Sequence, residues 1–376
     1  MTIASTGRRS LAGRALSFAC GLVGLPNAGK STIFAALTGA DSPIAPYPFS
    51  TLEPRRGVVP IPDPCLADLA RVLRPAKVTP ASLEVVDIAG LVEGASRGEG
   101  LGNQFLSHIR GTDALLHVVR CFTSKDIPHI AGDWDPVSDA GIVNTELLLA
   151  DLETVERRLE RARKTARTDP KATRTELPLL ERCDEALQRG APLRTFPSAH
   201  VDHRLTKELG LLTAKPMCYV ANVDQGDPES LRLAQRLEEF AGEIPVIPID
   251  GKLERELAQL PPEERADFAR ELGLDTSAVA RLARTGYQLL GLITFYTVVG
   301  EELRAWSLSA GSTALEAAAK IHSDMARGFV KVEVAAAGEF LANPSWNALR
   351  DGGLLRVEGR EYPVRDGDIL TIRFAP

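Results

Sequence analysis

The run Gly24-Leu25-Pro26-Asn27-Ala28-Gly29-Lys30-Ser31, followed by Thr32, has the residue types and spacing that grip a polyphosphate. It fits G-x-x-x-x-G-K-[ST] and stands between an apolar run, Ala19 to Val23, and a helix-like stretch, Thr32 to Leu37. Glycines let backbone amides turn inward around phosphate oxygens, and the N-terminus of the following helix adds a partial positive charge. In that arrangement the loop from Asn27 through Ala28 and Gly29 to Thr32 lines the cradle, Lys30 bridges the terminal phosphates and the Ser31 hydroxyl ligates Mg²⁺. The pattern predicts binding of a nucleoside triphosphate.

Downstream, the β-rich run Ser82 to Gly90 closes on D-x-x-G. In nucleotide switches the aspartate, here Asp87, holds Mg²⁺ through water, and the glycine amide, here Gly90, senses the terminal phosphate. Between the two motifs, Tyr47-Pro48-Phe49-Ser50-Thr51 places Thr51 where a hydroxyl completes the Mg²⁺ shell only when the triphosphate is present. The residue after D-x-x-G is Leu91, which has no group able to orient an attacking water. Either another side chain positions that water or hydrolysis is slight. The glycine-dense stretch Gly94 to Asn103 reads as a mobile second switch.

Base recognition is expected after a later strand, at Pro216 to Gln225, where Asn222 and Val223 begin N-V-D-Q. A guanine site ends such a motif in aspartate, which accepts from the guanine N1–H and exocyclic amine; Gln225 occupies that place. Adenine offers an acceptor at N1 and no amine at C2, so an Asn222 amide paired with adenine N6 and N7 suits an adenine-tolerant site. Asp224, one position early, reaches guanine only through a shifted loop.

Taken together, G-L-P-N-A-G-K-S-T, Y-P-F-S-T-L-E-P, D-I-A-G-L-V-E-G-A-S-R-G-E-G-L-G-N-Q-F-L and H-V-V-R-C-F resemble the YchF (Obg-like ATPase) family from about Phe18 to the C-terminus. The resemblance implies an α/β P-loop NTPase of mostly parallel sheet, interrupted by an antiparallel helical hairpin and followed by a β-grasp TGS domain. It also implies ATP favoured over GTP, association with ribosomes, and a histidine after the R-C-F strand in place of the missing glutamine. The matching residue is His129, with Lys30 the other catalytic group, and Phe122 of R-C-F would stack on the base. Departures are N-V-D-Q, the later loop Ile249-Asp250-Gly251-Lys252, and an N-terminus longer by over a dozen residues; the first two leave base selectivity open. Asn27 occupies the position that coordinates K⁺ in potassium-activated relatives of the superfamily, so K⁺ is expected beside Mg²⁺.

The 376 residues, 44% of them hydrophobic, suffice for two or three cored domains. Residues 18–140 and 214–290 are expected to form the nucleotide domain, 141–213 the arm, and 291–376 the TGS domain. Residues 1–17, with Arg8, Arg9 and Arg14, read as a disordered extension or the product of a start codon set too far upstream. Five scattered cysteines form no metal or disulfide pattern, which suits a reducing, cytoplasmic compartment. No run is long enough to span a membrane, and the chain is expected to be a monomer. A net charge of -6 excludes indiscriminate nucleic-acid binding.

Leu148, Leu152, Val155, Leu159, Ala162 and Ala166 form a heptad seam, and Leu177, Leu180, Cys183 and Leu187 a second stripe. Arg167-Thr168-Asp169-Pro170 breaks the helix between them. Residues 157–174 carry eight basic residues against Glu160 and Asp169, a local +6 on an acidic protein. That charge is either a solvated face or a contact for ribosomal RNA phosphates. From Gly291 onward, short strands around one helix opened by Thr313-Ala314-Leu315-Glu316 suggest the β-grasp module, with Trp306 and His322 as packing residues and Pro43 to Pro64 as switch and linker.

Overall fold

The computed structural model describes residues 18–39, 54–88, 101–123, 134–196, 203–261, 264 and 277–375. They fall into two compact units: Ala19–Pro62 with Ser82–Gly291, and Phe18, Asp63–Ala81 and the chain from Leu292. Along the chain, β1 (Ala19–Val23), α1 (Lys30–Thr38) and β2 (Arg55–Pro60) precede α2 (Pro64–Leu73), β3 (Lys77–Thr79) and β4 (Ser82–Asp87). Then come α3 (Leu101–Arg110), β5 (Ala114–Arg120), α4 (Pro136–Thr168), α5 (Glu176–Gln188) and α6 (His203–Leu209). β6 (Met217–Asn222), α7 (Pro228–Ala241), β7 (Val246–Ile249), α8 (Gly251–Gln259) and α9 (Ala278–Leu289) complete the larger unit.

Its sheet runs β2-β4-β1-β5-β6-β7, parallel except for β2. β1, β5 and β6 are buried along their whole length, as near-continuous apolar strands covered on both faces must be. On one face Leu115, Val119 and Ala221 pack with Val143 and Leu147 of α4 and Leu233 and Leu237 of α7. On the other, α9 comes close enough that a side chain at Gly286 would press on Leu83 and Cys20 at 3.0 and 3.3 Å. Because β4 and β5 flank β1 on opposite sides, the strand order reverses at the carboxyl end of β1, the crevice where open α/β sheets bind ligands.

The arm grows out of the same unit. Asp135 caps α4, accepting from Val137 N at 3.2 Å, and Pro136 fills the first turn, where its missing N–H costs nothing. The seam is then buried as its spacing demands: Val155, Leu159 and Ala162 pack against Leu180, Cys183, Ala186 and Leu187 of α5. Asp169 ends the helix and folds the turn, accepting from Lys171 N and Ala172 N at 3.1 and 3.2 Å. α4 is one unbroken helix across the expected boundary at residue 140, so its first turns pack on the sheet and its remainder forms the hairpin.

The smaller unit contains β8 (Leu292–Val299), β9 (Glu302–Ser309), α10 (Ala314–Ile321), α11 (Ser323–Arg327), β10 (Phe329–Ala336), α12 (Ala337–Ala342), α13 (Trp346–Asp351), β11 (Arg356–Glu358) and β12 (Asp368–Phe374). The capping box forms: Thr313 Oγ1 accepts from Glu316 N at 3.4 Å, and Glu316 Oε2 accepts from Thr313 N at 2.7 Å. Phe295, Leu308, Val332, Val334 and Leu370 pack beneath Ala314, Ala317 and Ala318. Trp306 is a packing residue, stacked on Phe295 with ring centroids 6.3 Å apart. His322 is not; it is exposed, and its Nδ1 caps α11 by accepting from Asp324 N at 3.2 Å.

One boundary departs from the sequence expectation. An unbroken nucleotide domain from 18 to 140 is interrupted by Asp63–Ala81, which belongs to the smaller unit. β3 pairs in parallel with β9, matching Lys77 to Glu302, and extends the sheet to β11-β10-β12-β8-β9-β3. α2 buries Leu66 and Leu69 there, and its cap Asp63 also accepts from the Tyr296 hydroxyl at 2.9 Å. A three-residue strand behind a proline-rich stretch carries no periodicity from which to read this.

Candidate nucleotide site

The phosphate loop leaves β1 through backbone shapes that its residue types permit. Gly24 has φ +150° and lies so close to β5 that a Cβ would stand 2.2 Å from the Val118 carbonyl oxygen. Asn27 takes φ 63°, a left-handed conformation that Asn tolerates better than most residues. Gly29 has φ +97°, and a Cβ there would meet Asn222 Nδ2 at 2.0 Å, so the loop sits directly against the end of β6.

Lys30 is 7% exposed, and its Nζ donates to the carbonyls of Gly24 at 3.0 Å and Leu25 at 2.8 Å. The ammonium is thereby folded over the loop, inside the space a phosphate chain would enter. Burial pushes its pKa down to about 8, against the opposing pull of Asp87. Ser31 Oγ donates to Asp87 Oδ2 at 3.0 Å, joining the helix start to the end of β4. Burial holds the Asp87 carboxyl above its usual range, while Ser31, Lys30 and Arg55 act in the opposite sense. A hydroxyl and a carboxylate side by side at the mouth of a phosphate cradle are the hard oxygen donors that Mg²⁺ prefers, so the donor set fits that ion. Among the described residues no group of three or more acidic, His or Cys side chains is placed to hold a metal ion. Thr32 lies in the first turn of α1, its methyl 3.5 Å from where a Gly251 Cβ would stand.

The base loop is tied by hydrogen bonds to the phosphate loop and to α8. Asn222 is 5% exposed; its Nδ2 donates to the Ala28 carbonyl at 3.0 Å and its Oδ1 accepts from Gly251 N at 3.2 Å. Its amide is a strut between the phosphate loop and the start of α8. Val223 is buried in the core and donates its N–H to Ile249 O at 2.9 Å. Both nearby carboxylates are turned to backbone amides. Asp224 Oδ1 accepts from Gly226 N at 3.0 Å, while Asp250 caps α8 through Leu253 N at 3.0 Å and accepts from Gln225 N at 3.2 Å.

The segment after β5 is pinned to this loop. Ser230, fully buried, donates to Cys121 O at 2.5 Å and accepts from Asp224 N at 2.8 Å; Thr123 Oγ1 donates to Asp227 Oδ2 at 2.8 Å. Phe122 lies half-buried between these anchors. The guanidinium of Arg120 stands 4.6 Å from its ring centroid, and Arg120 Nε donates to the Phe122 carbonyl at 3.2 Å. Sequence reasoning passed over Arg120, although its i, i+2 spacing from Phe122 on an extended chain was a usable signal. Thr51, Gly90, Leu91 and His129 lie outside the described residues.

A parallel sheet with this phosphate loop at its switch point, Ser31 facing Asp87, defines a P-loop nucleoside triphosphatase. A family model described as a 50S ribosome-binding GTPase matches residues 19–151, and the YchF-GTPase C-terminal model, described as a protein of unknown function, matches 292–375. The chain is 44% identical over 362 residues to the ribosome-binding ATPase YchF of Haemophilus ducreyi, covering 96% of this chain and 99% of that one. The Bacillus subtilis protein of the same name is 43% identical over 364 residues, covering 96% and 100%. The solved YchF GTPase of Schizosaccharomyces pombe superposes with a TM-score of 0.81 at 34% identity, covering 95% of this chain and 98% of that one. The chain belongs to the YchF family.

Proposed function

We propose that this protein is a cytoplasmic, monomeric nucleotide switch that binds and hydrolyses ATP, and GTP less well, on ribosomes, in translation or stress regulation. The observation that carries the base preference is the commitment of Asp224 and Asp250 to backbone amides, with Gln225 where a guanine-reading carboxylate would stand. Lys30, released from the Gly24 and Leu25 carbonyls, takes the terminal phosphates, while the loop amides and the α1 N-terminus hold the remainder. Ser31, Asp87 and Thr51 would hold Mg²⁺, which when bound supplies charge neutralisation at the phosphates. Asn27 serves a K⁺ beside them. Thr51 and Gly90 report the terminal phosphate, Phe122 stacks on the base and the Val223 backbone reads its edge. His129 orients the water that Leu91 cannot.

The bacterial relatives' names, ribosome-binding ATPase, support ribosome binding and ATP use, whereas the fission yeast relative is called a GTPase. In the arm, Lys164 pairs with Glu160 at 2.7 Å and Arg163 with Glu181 at 3.2 Å. Arg161, Arg167, Lys171 and Arg174 are exposed and make no ion pair among the described residues, so they are the cations free for RNA phosphates. The C-terminal unit, read as a TGS domain, is the second ribosome contact. No described helix is long and apolar enough to cross a membrane.

Leu91 favours a second reading, a nucleotide-gated binding protein with incidental turnover. Competition between ATP and GTP, with single-turnover hydrolysis of each in the presence and absence of ribosomes, tests both. Tighter GTP binding would overturn the base preference, and turnover that stays negligible with ribosomes would favour the second reading.

A further inference from the structure

We infer that Arg120 is a positioning residue for base binding: it holds the Phe122 ring as a preformed platform for a purine and does not itself touch the nucleotide. The inference rests on the proposed nucleotide reading and extends it to a residue outside the phosphate loop and the base motif.

Arg120 is 4% exposed, an unusual place for a guanidinium. Burial lowers its pKa, and the buried carboxylate of Asp139, in the first turn of α4, acts in the opposite sense. A buried cation costs stability unless its surroundings use it, and here it serves one short segment twice. Its Nε fixes the Phe122 carbonyl at 3.2 Å, and its Cζ lies over the Phe122 ring, 4.6 Å from the centroid. Residues i and i+2 of an extended chain share a side, so the end of β5 sets this stacking. Beyond the ring, Thr123 is anchored to the cap of α7. The segment is therefore anchored on both sides of Phe122, whose ring has a cation over it and is half-buried.

A free phenylalanine at a loop tip would lose rotamer entropy on stacking against a base; this one has lost it already. Backbone pairing brings Arg120 opposite Asn222, the strut that touches the phosphate loop, so platform and cradle are carried on neighbouring strands. The contribution belongs to the base and not to the phosphates.

The test is equilibrium binding of Mg·ATP and of Mg·tripolyphosphate, which has no base, to the full chain and to Phe122→Ala, Arg120→Ala, Arg120→Met and the Arg120→Ala/Phe122→Ala double variant. Phe122→Ala should weaken ATP roughly ten-fold or more. Arg120→Ala and Arg120→Met should each weaken it on the order of three- to tenfold, with tripolyphosphate affinity unchanged and the double variant no worse than Phe122→Ala alone. Arg120→Met keeps the aliphatic stem, so it stands in if the alanine variant fails to fold. Equal losses for ATP and tripolyphosphate, or additive losses in the double variant, would assign Arg120 a general structural role and overturn the inference. If Phe122→Ala leaves ATP affinity unchanged, the base platform itself is wrong; if only the Arg120 variants have no effect, the platform stands without Arg120.

Discussion

Ser31 Oγ and Asp87 Oδ2 lie 3.0 Å apart, a hydrogen bond that joins the first turn of α1 to the end of β4. Two segments far apart in sequence thus meet at one point, where a hydroxyl and a carboxylate share the place a metal ion would take.

That carboxylate is held above its ordinary pKa by burial, so the nucleotide-free folded chain keeps the proton to higher pH than the unfolded chain does. Between those two values stability falls as pH rises, so ionising Asp87 is a cost to the empty fold. Asp87→Asn should therefore raise the nucleotide-free melting temperature at pH 7 by roughly 2–4 °C per kcal/mol relieved. Its Mg²⁺-dependent ATP affinity should drop about ten- to a hundredfold. Calorimetry and Mg²⁺ titration read the two effects, and an intact Mg²⁺ response would contradict the assignment.

Asn222→Ala removes the partner of the Ala28 carbonyl and of the Gly251 amide, two buried groups whose loss costs about 1–3 kcal/mol each. Because the amide is a strut, ATP and GTP should weaken by the same factor. A loss confined to ATP would show that the amide instead turns to the base.

In the arm, Arg161, Arg167, Lys171 and Arg174 changed together to Glu should weaken ribosome co-sedimentation and flatten its salt dependence, with ATP affinity unaltered. The paired cations Arg163 and Lys164 should matter less. Unchanged co-sedimentation of the fourfold variant would remove the arm from the interface.

Hydrolysis should run faster in K⁺ than in equimolar Na⁺, because a cation beside the phosphates neutralises charge that develops in the transition state. Asn27 sits in the loop at φ 63°, and Asn27→Ala should abolish the difference. Equal rates in the two salts would exclude the cation.

His129→Ala should lower turnover by roughly ten- to a thousandfold while ATP affinity stays within a few-fold, the signature of a lost water-positioning group. Turnover that survives would move the assignment to the second switch or to the substrate's own phosphate.

Much of this protein was legible in its sequence because the signals are local. The phosphate loop needs its glycines and lysine consecutively, the arm needs a heptad seam within one helix, and the Thr313–Glu316 box caps its own turn. Each is set by backbone geometry over a few residues, so spacing alone reveals it. What only the tertiary structure decided are relations across long sequence separations. Asp63–Ala81 joins a sheet formed by the C-terminal strands through three backbone pairs and two buried leucines, too few residues to leave a pattern. The Asn222 amide, expected on the base, also bonds Ala28 and Gly251, partners that come near only when β6 and β7 align beside β1. Arg120 reads from the chain as an interruption in an apolar strand, and acquires its role once burial leaves Phe122 and Asp139 beside it. Hydrogen-bond commitment and burial belong to the assembled fold, and they separate a residue that reads the ligand from one that holds the reader in place.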